Sequence, residues 1–338
     1  MNGSALAGYR SKANYYMWIG IFFALIGGII LMLYLATRQI DYVWRWYSMP
    51  RYFAHEAEIE IPAQVLGTVE SITPEGKGAV IRVAEEDTDN VESYSVPDRK
   101  EIRVDDGDFV YPGDVLAIYR KWRPGLLAQG MWITLKVSLY AIVFGIAIGL
   151  LGGIARISSN PAAKWASITY VELIRGSPLL VQIFIWYFVL ATLINQLLLK
   201  WGIPEISALW YGVASLAFFA GAYVTEIVRA GIQSIHRGQI EASRSLGMNA
   251  AQCMWYVILP QALRRILPPL AGQFITLIKD SSLLGIIAIR ELTKATREGI
   301  TTSLQPYEFW FTCAILYLIL TFTLSMFVQW LERRTATP

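Results

Sequence analysis

Six long apolar runs constrain this 338-residue chain more than any other feature of its sequence. About 20 apolar residues in a helix cross a hydrocarbon core of about 30 Å, and each run has at least that length. Hydrophobic residues make up 55% of the chain and charged residues only 16%, which argues against an ordinary soluble domain. The sequence therefore predicts an all-α polytopic membrane protein, with one run between residues 12 and 38 and the others at 131–154, 178–199, 206–227, 266–289 and 309–331.

Flanking residues give these six runs an orientation. The first run is too long for the apolar part of a signal peptide and no small-residue cleavage site follows it, which favours a retained anchor. Arginine and lysine concentrate before the first span, in the loops after the second and fourth spans, and in the tail. With six spans these regions fall on one side, and the positive-inside rule makes that side the cytoplasm. Both termini are predicted to be cytoplasmic.

A polar segment separates the first span from the other five. Its short alternating runs at 64–72, 78–84 and 101–104 are divided by Gly, Pro and Asp clusters, a pattern typical of strands and tight turns. We therefore predict a small all-β extracytoplasmic insert. The predicted organisation is an N-terminal tail and anchor at 1–40, a β domain at 41–125 and a transmembrane core at 126–338.

Several classes of partner have no support in the composition. The net charge of +3 gives no reason to expect a nucleic-acid partner, and two cysteines with two histidines form no metal-ligand pattern. No G-x-x-x-x-G-K-[ST] motif is present, so we expect this chain not to bind ATP itself. We also find no paired carboxylates or histidine sites with catalytic spacing, and predict a protein that is not an enzyme.

The loop between the fourth and fifth spans carries the most informative motif. It contains Glu241-Ala242-Ser243, then Gly247, then Leu259-Pro260. This spacing resembles the EAA loop of ABC-importer permeases, which implies that the loop couples the chain to a separate ATPase. We expect a short helix from Glu241 to Gly247, with Glu241 stabilised near the helix start. Small side chains would let it enter a groove of the partner, and Pro260 would start or kink the next helix. The alternative is an ordinary amphipathic interfacial helix.

Three further stretches, at 171–182, 221–239 and 278–293, are similar to polar amino-acid permeases of the histidine/glutamine type. The resemblance covers about residues 130–331. It implies a type I ABC importer core of five spans in a bacterial cytoplasmic membrane, with the first span additional. It also implies a second permease, a dimer of ATPases that bind ATP and Mg, and an extracytoplasmic solute-binding protein. An opine or another small zwitterion stays open as the cargo, and a membrane-anchored adaptor is the alternative class.

Polar side chains within spans indicate where the substrate could pass. Charged groups in a bilayer normally face a cavity or a partner, because exposing them to lipid is costly. A mixture of cation, carboxylate and hydroxyls suits a zwitterion, although a closed Lys279–Asp280 pair that only stabilises packing is an equal alternative. The residues expected in the pathway are Gln182, Tyr223, Lys279, Asp280, Ser281 and Ser282.

Overall fold

The computed structural model describes residues 12–86, 90–98 and 101–335. The predicted cytoplasmic tail before residue 12 lies outside these residues. The chain divides into two compact units, Met1–Tyr47 and Ser48–Pro338. The first unit contains helix α1, Lys12–Gln39. Its C-terminal turn is fixed by Thr37, whose carbonyl oxygen accepts from the Tyr42 N–H at 3.0 Å and whose Oγ1 accepts from the Trp44 indole at 3.1 Å.

The prediction of six spans is confirmed. In the described chain, six helical segments are long and apolar enough to cross a membrane: Tyr15–Gln39, Leu126–Ile157, Leu179–Lys200, Ala208–Gln233, Ala250–Ile287 and Pro306–Trp330. The predicted start of the fifth span, at residue 266, is wrong, because the helical segment begins at Ala250. Asn249 and Gln252 form a reciprocal capping box there, in which each side chain accepts from the other's backbone N–H at 2.9 Å.

Two of the six spans are not uniform α-helices. The third consists of α4 (Leu179–Phe184), a π-helical turn at Ile185–Leu190, and α5 (Ala191–Lys200). The fifth consists of α8 (Ala250–Cys253), a π-helical turn at Met254–Ile258, α9 (Leu259–Asp280) and a 3₁₀ helix at Ser281–Ile287. The remaining helices are α2 (Leu126–Ile157), α3 (Pro161–Arg175), α6 (Ala208–Gln233), α7 (Arg237–Ser245), α10 (Leu292–Ser303) and α11 (Pro306–Thr335).

Helices α2 and α6 pack closely because α2 presents a row of glycines. Gly145, Gly149 and Gly153 recur every four residues and therefore share one helix face. A Cβ at Gly145 would lie 3.0 Å from the Cβ of Ala220, and a Cβ at Gly149 would collide with Val224. Small residues allow such close backbone approach between membrane helices, so this contact forms the centre of the bundle.

The bundle has two ends, which we name from their short helices. At the α7 end, a cluster that includes Val228, Ile235, Cys253 and Ile258 joins α6 to the start of the fifth span. At the α10 end, Leu127, Leu292 and Phe309 belong to a second buried cluster. The fifth span begins just after α7 and ends just before α10. It therefore runs from one end to the other, and the two ends lie on opposite sides of the bundle.

The predicted β domain is present. A two-stranded antiparallel sheet pairs β1 (Ala54–Pro62) with β6 (Val115–Pro124), and we call it the ribbon. A four-stranded antiparallel sheet has the order β4 (Val91–Val96), β3 (Gly78–Glu85), β2 (Gly67–Glu75), β5 (Phe109–Val110). The expected strand at 101–104 is only an isolated bridge between Ile102 and Ala117. The strands of the ribbon, by contrast, were not predicted as a pair.

The ribbon meets the helical bundle at its α10 end. The Gly125 N–H donates to the Phe53 carbonyl oxygen at 2.7 Å, so the two strands enter and leave the bundle side by side. In the 3₁₀ helix Trp46–Tyr52, Ser48 Oγ donates to Gln305 Oε1 at 2.7 Å, and the Tyr52 ring lies 4.6 Å from that of Phe309. These contacts fix the base of the β domain on α11 and the segment before it.

Candidate functional site

The loop at the α7 end contains the predicted coupling motif. Helix α7 begins at Arg237, with His236 as its N-cap residue, whose Nδ1 accepts from the Gly238 N–H at 3.1 Å. The predicted helix start at Glu241 is therefore wrong. The helix begins four residues earlier, at Arg237, because the His236 ring nitrogen caps it there. Glu241 lies in the middle of the helix, where the stabilisation expected for an acidic residue in the first turn does not apply.

The motif residues have different surroundings on α7. Glu241 and Ala242 are exposed to solvent. Ser243 is only 3% exposed, and its Oγ lies 2.8 Å from both the Ile240 carbonyl oxygen and Cys253 Sγ. We expected the small size of Ser243 to let a partner approach. Instead it lets α7 pack against α8 of its own chain, and only Glu241 and Ala242 of the triplet are accessible.

Gly247 ends the helix in a left-handed conformation, with φ of +80°. The Met248 N–H donates to the Ser243 carbonyl oxygen at 3.2 Å and the Gly247 N–H to that of Arg244 at 2.9 Å, which together form a Schellman motif. Further along, Leu259 is half-buried and Pro260 is exposed in the first turn of α9. Pro260 comes just after the π-helical turn Met254–Ile258, in the first turn of α9, which agrees with the prediction that it starts or kinks the next helical segment.

Three large exposed side chains near α7 were not predicted as site residues. Leu246 is 80% exposed, Trp255 67% and Tyr256 75%. Leu246 directly follows α7, and the two aromatic residues lie in the π-helical turn Met254–Ile258. The signal in the sequence was the presence of bulky apolar residues inside an otherwise polar loop.

An ionic cluster joins three helices at the α7 end. The Glu226 carboxylate of α6 forms an ion pair with Arg156 Nε of α2 at 2.7 Å and accepts a hydrogen bond from Arg229 Nη2 at 2.8 Å. Arg156 Nη2 also lies 3.9 Å from Glu172 Oε1 of α3, and Arg229 Nη1 donates to Gln233 Oε1 at 2.6 Å. The Glu226 side chain is only 19% exposed, so the ion pairs with Arg156 and Arg229 stabilise its negative charge.

Gln182 has a role in holding the start of the third span. Its side chain is buried, and Nε2 donates to the Ile174 carbonyl oxygen at 2.8 Å and to Ser177 Oγ at 2.9 Å. These bonds close the turn between α3 and α4. Tyr223 is half-buried, with Arg175 Cζ 5.3 Å from its ring centroid, a cation–π geometry. Both side chains therefore have partners within the chain.

The four polar residues in the fifth span occupy different surroundings. Helix α9 ends at Asp280, and the span continues as a 3₁₀ helix from Ser281. Ser281 is fully buried, and its Oγ donates to the Ile278 carbonyl oxygen at 2.8 Å. Lys279 and Ser282 instead line a cavity of about 280 Å³ with Thr293, Trp310, Cys313, Ala314 and Tyr317.

The geometry separates the six predicted pathway residues. In the described residues no ion pair within 4.0 Å joins Lys279 to Asp280, so the alternative of a closed pair is not supported. Gln182 directly precedes Ile183, which packs in the same buried cluster as Leu277 and Leu284 of the fifth span. Of the six residues, the cavity contains only Lys279 and Ser282.

Glu291, the N-cap residue of α10, is a buried acid that the prediction did not select. Its two carboxylate oxygens each accept a backbone N–H at 2.7 Å, from Thr293 and Lys294, and Tyr317 donates to Oε2 at 3.1 Å. Burial raises the pKa of this carboxyl, while these hydrogen bonds act in the opposite direction. Its side chain fixes α10 beside the cavity that contains Lys279.

Residues 141–337 match the family described as the inner membrane component of binding-protein-dependent transport systems. This chain belongs to that family. The glutamine transport system permease protein GlnP of Escherichia coli is 39% identical over 209 residues, which are 62% of this chain and 92% of the relative. The L-cystine transport system permease protein TcyB of Bacillus subtilis is 37% identical over 210 residues, which are 62% and 86% of the two chains.

Solved structures agree with this assignment to the permease family. A crystal structure of an amino acid ABC transporter with histidines gives a TM-score of 0.55 at 37% identity and covers 62% of this chain and 94% of its own. The methionine transporter MetNI gives 0.52 at 22% identity, which concerns the fold alone. The predicted resemblance to polar amino-acid permeases is confirmed, as is the prediction that the chain is a transporter component and not an enzyme. The matched region excludes α1 and the β domain.

Proposed function

We propose that this permease is the membrane subunit of an ATP-driven importer of amino acids, coupled to its ATPase through α7. The supporting observation is that Glu241 and Ala242 are exposed on a short helix between two spans, within the region that matches the permease family. Relatives named as glutamine and cystine permeases support an amino acid as cargo.

The proposed assembly places this chain beside a second permease, above a dimer of ATPases and below a solute-binding protein. ATP and Mg would be bound by the ATPases, and this chain would bind no cofactor. The α7 end would face the cytoplasm of a bacterial cell, with both termini on that side. The β domain, at the α10 end, would be extracytoplasmic, and no nucleic acid is involved.

Motion of the ATPases would reach the spans through contacts already described. Ser243 bonds α7 to Cys253 of α8, and the Schellman motif at Gly247 fixes the angle between the two helices. Cys253 in turn belongs to the buried cluster that joins the fifth span to α6. Because packed helices move as rigid bodies, pressure on α7 would rock the fifth span and α6 together.

The substrate pathway in this proposal follows Lys279 and Ser282. Their cavity combines the Lys279 ammonium group with the Ser282 hydroxyl, and both can donate hydrogen bonds to the carboxylate of an amino acid. The Thr293 and Tyr317 hydroxyls in its wall are bonded to each other, and Tyr317 also to Glu291. Asp280, half-buried beside it, would offer a carboxylate to the amino group. Gln182, Tyr223 and Ser281 would support the pathway indirectly, through the helix contacts that they make.

Charge reversal on α7 tests the coupling. Glu241→Lys should reduce co-purification of the ATPase at least about tenfold, because it removes an interfacial charge and introduces a repelling one. Glu205→Lys, on the exposed loop at the α10 end, is the matched control and should leave the ATPase bound. Equal retention of the ATPase by both variants would contradict the role of α7.

Transport by the reconstituted complex tests the cargo and the pathway. Proteoliposomes with the ATPase and binding protein are assayed against the amino acids and against opines. Lys279→Gln should lower transport and substrate-stimulated ATPase activity together, whereas Lys200→Gln, at the end of α5, should not. Unchanged activity of Lys279→Gln would exclude the pathway but leave the coupling through α7 intact.

A further inference from the structure

A second and larger pocket, of about 780 Å³, lies at the α7 end of the bundle. It is formed where α2, α3, α6, α7 and the π-helical turn Met254–Ile258 meet. Its apolar wall includes Ile157, Ile168, Ile232 and Met254, and its polar wall is mainly basic. The basic residues are Arg156, Lys164, Arg229 and Arg237.

The charge of this pocket is not balanced by the chain itself. The residues that line it include four basic side chains and no acidic one. Glu226 pairs with both Arg156 and Arg229 and so offsets part of their charge. Lys164 and Arg237 are exposed, and neither forms an ion pair with any residue that the structure describes. The pocket is therefore positive, and its field attracts anions.

One of the basic groups also has an unused hydrogen-bond donor. The Arg156 side chain is only 16% exposed, and its Nη1 is shielded from solvent without a hydrogen-bond acceptor in the described chain. A buried donor without an acceptor is costly, and a guanidinium group matches the oxygen atoms of a phosphate well. Arg156 can therefore bind an anion in this pocket while its Nε remains paired with Glu226.

We propose that this pocket binds a phosphate group, carried by the headgroup of an anionic phospholipid. The pocket adjoins the ends of the second and fourth spans, at Ile157 and Gln233, which is the depth of lipid headgroups. Its isoleucine-rich wall suits the glycerol and upper acyl region of a lipid. A soluble organic phosphate offers the same phosphate group but has no apolar part to contact this isoleucine-rich wall.

The test measures which lipids the purified permease retains. Wild-type protein is exposed to equal amounts of phosphatidylglycerol and phosphatidylethanolamine in detergent, and bound lipid is counted by native mass spectrometry. Wild type should retain phosphatidylglycerol preferentially. The double variant Lys164→Gln, Arg237→Gln removes two exposed and unpaired charges, so it should fold normally, and its retention of phosphatidylglycerol should fall roughly 25-fold, or about fivefold per charge.

Arg244→Gln is the matched control, because it also removes an exposed basic charge at the α7 end but from outside the pocket. It should keep the preference of the wild type. A parallel arm adds inorganic phosphate or glycerol 3-phosphate without anionic lipid and follows thermal stability. Stabilisation by these compounds, lost in the double variant, would assign the same site to a soluble phosphate. No preference in the wild type, or equal loss in the control and the double variant, would overturn the proposal.

Discussion

At the scale of single residues, Gly247 is the position where backbone conformation most restricts the choice of side chain. Its φ of +80° lies in the left-handed region, and no atom lies within 4 Å of the position that a Cβ would occupy. Gly247→Ala should therefore destabilise the protein through backbone strain alone, by about 1–2 kcal/mol. A lower temperature of unfolding in detergent would show this.

Gly272→Ala provides the control for this prediction. Gly272 likewise has no neighbour within 4 Å of the position that a Cβ would occupy, but it lies inside α9 with helical geometry. Alanine is favoured over glycine in a helix by roughly 0.5–1 kcal/mol. This variant should unfold at the same or a higher temperature. The same shift in both variants would contradict the explanation from φ.

Burial of Glu291 makes a pH-dependent prediction. Its pKa lies above the usual 4.5, so the folded state holds the proton more tightly than the unfolded state does. The stabilisation is present below pH 4.5 and is lost as the pH rises through the pKa of the folded state. Because Glu291→Gln stays neutral, the unfolding temperature of wild type minus that of the variant should fall as the pH rises from 4.5.

Glu298→Gln, on the same helix and partly exposed, controls for the removal of a carboxylate from α10. If the unfolding temperature of wild type instead rises relative to that of Glu291→Gln as the pH increases, the hydrogen bonds from Thr293, Lys294 and Tyr317 outweigh burial in setting the pKa of Glu291. The measurement needs only solubilised permease and a series of buffers.

At the scale of elements, the contact between α2 and α6 predicts a graded response. Gly145→Ala would place its Cβ 3.0 Å from Ala220 Cβ, which small shifts can accommodate, whereas Gly149→Ala collides with Val224. We expect Gly149→Ala to cost roughly 1–3 kcal/mol and Gly145→Ala less. Thermal unfolding of both variants checks the order, and Gly20→Ala in α1, which has no neighbour within 4 Å, should leave the unfolding temperature the same or higher.

The number of membrane spans followed from the sequence, but their ends did not. Hydropathy predicts spans because burying a backbone in lipid requires a continuous apolar helix. The start of the fifth span was missed because Asn249 and Gln252 form their capping box in a polar stretch that hydropathy does not detect. The start of α7 was missed for a similar reason, since His236 caps it through a ring nitrogen.

Site residues were harder to predict than elements. The motif led to Glu241 and Ala242 as accessible groups, but Ser243 and Gln182 are occupied by contacts within the chain. The partners of these residues depend on how the helices pack against each other. A pattern along the sequence carries no information on that packing. The ionic cluster around Glu226 and the buried Glu291 depend on tertiary packing in the same way.

At the scale of the whole molecule, the β domain should be separable from the transmembrane core. The buried clusters of the bundle contain no residue between 63 and 114. Pro62 pairs with Val115, so replacing 63–114 by Asn-Gly would close the ribbon with a two-residue turn. The shortened permease should insert and purify as a single species. Aggregation of this variant, but not of the full chain, would contradict the prediction.

The paired backbone at Phe53 and Gly125 also bears on how such a chain could arise. A domain whose two ends lie side by side can be inserted into a helical bundle, or removed, without moving the spans around it. Modules of different size or specificity can therefore be exchanged at this point, while the transmembrane core stays the same. Permeases with such exchanged modules would be a direct way to add new roles to one core.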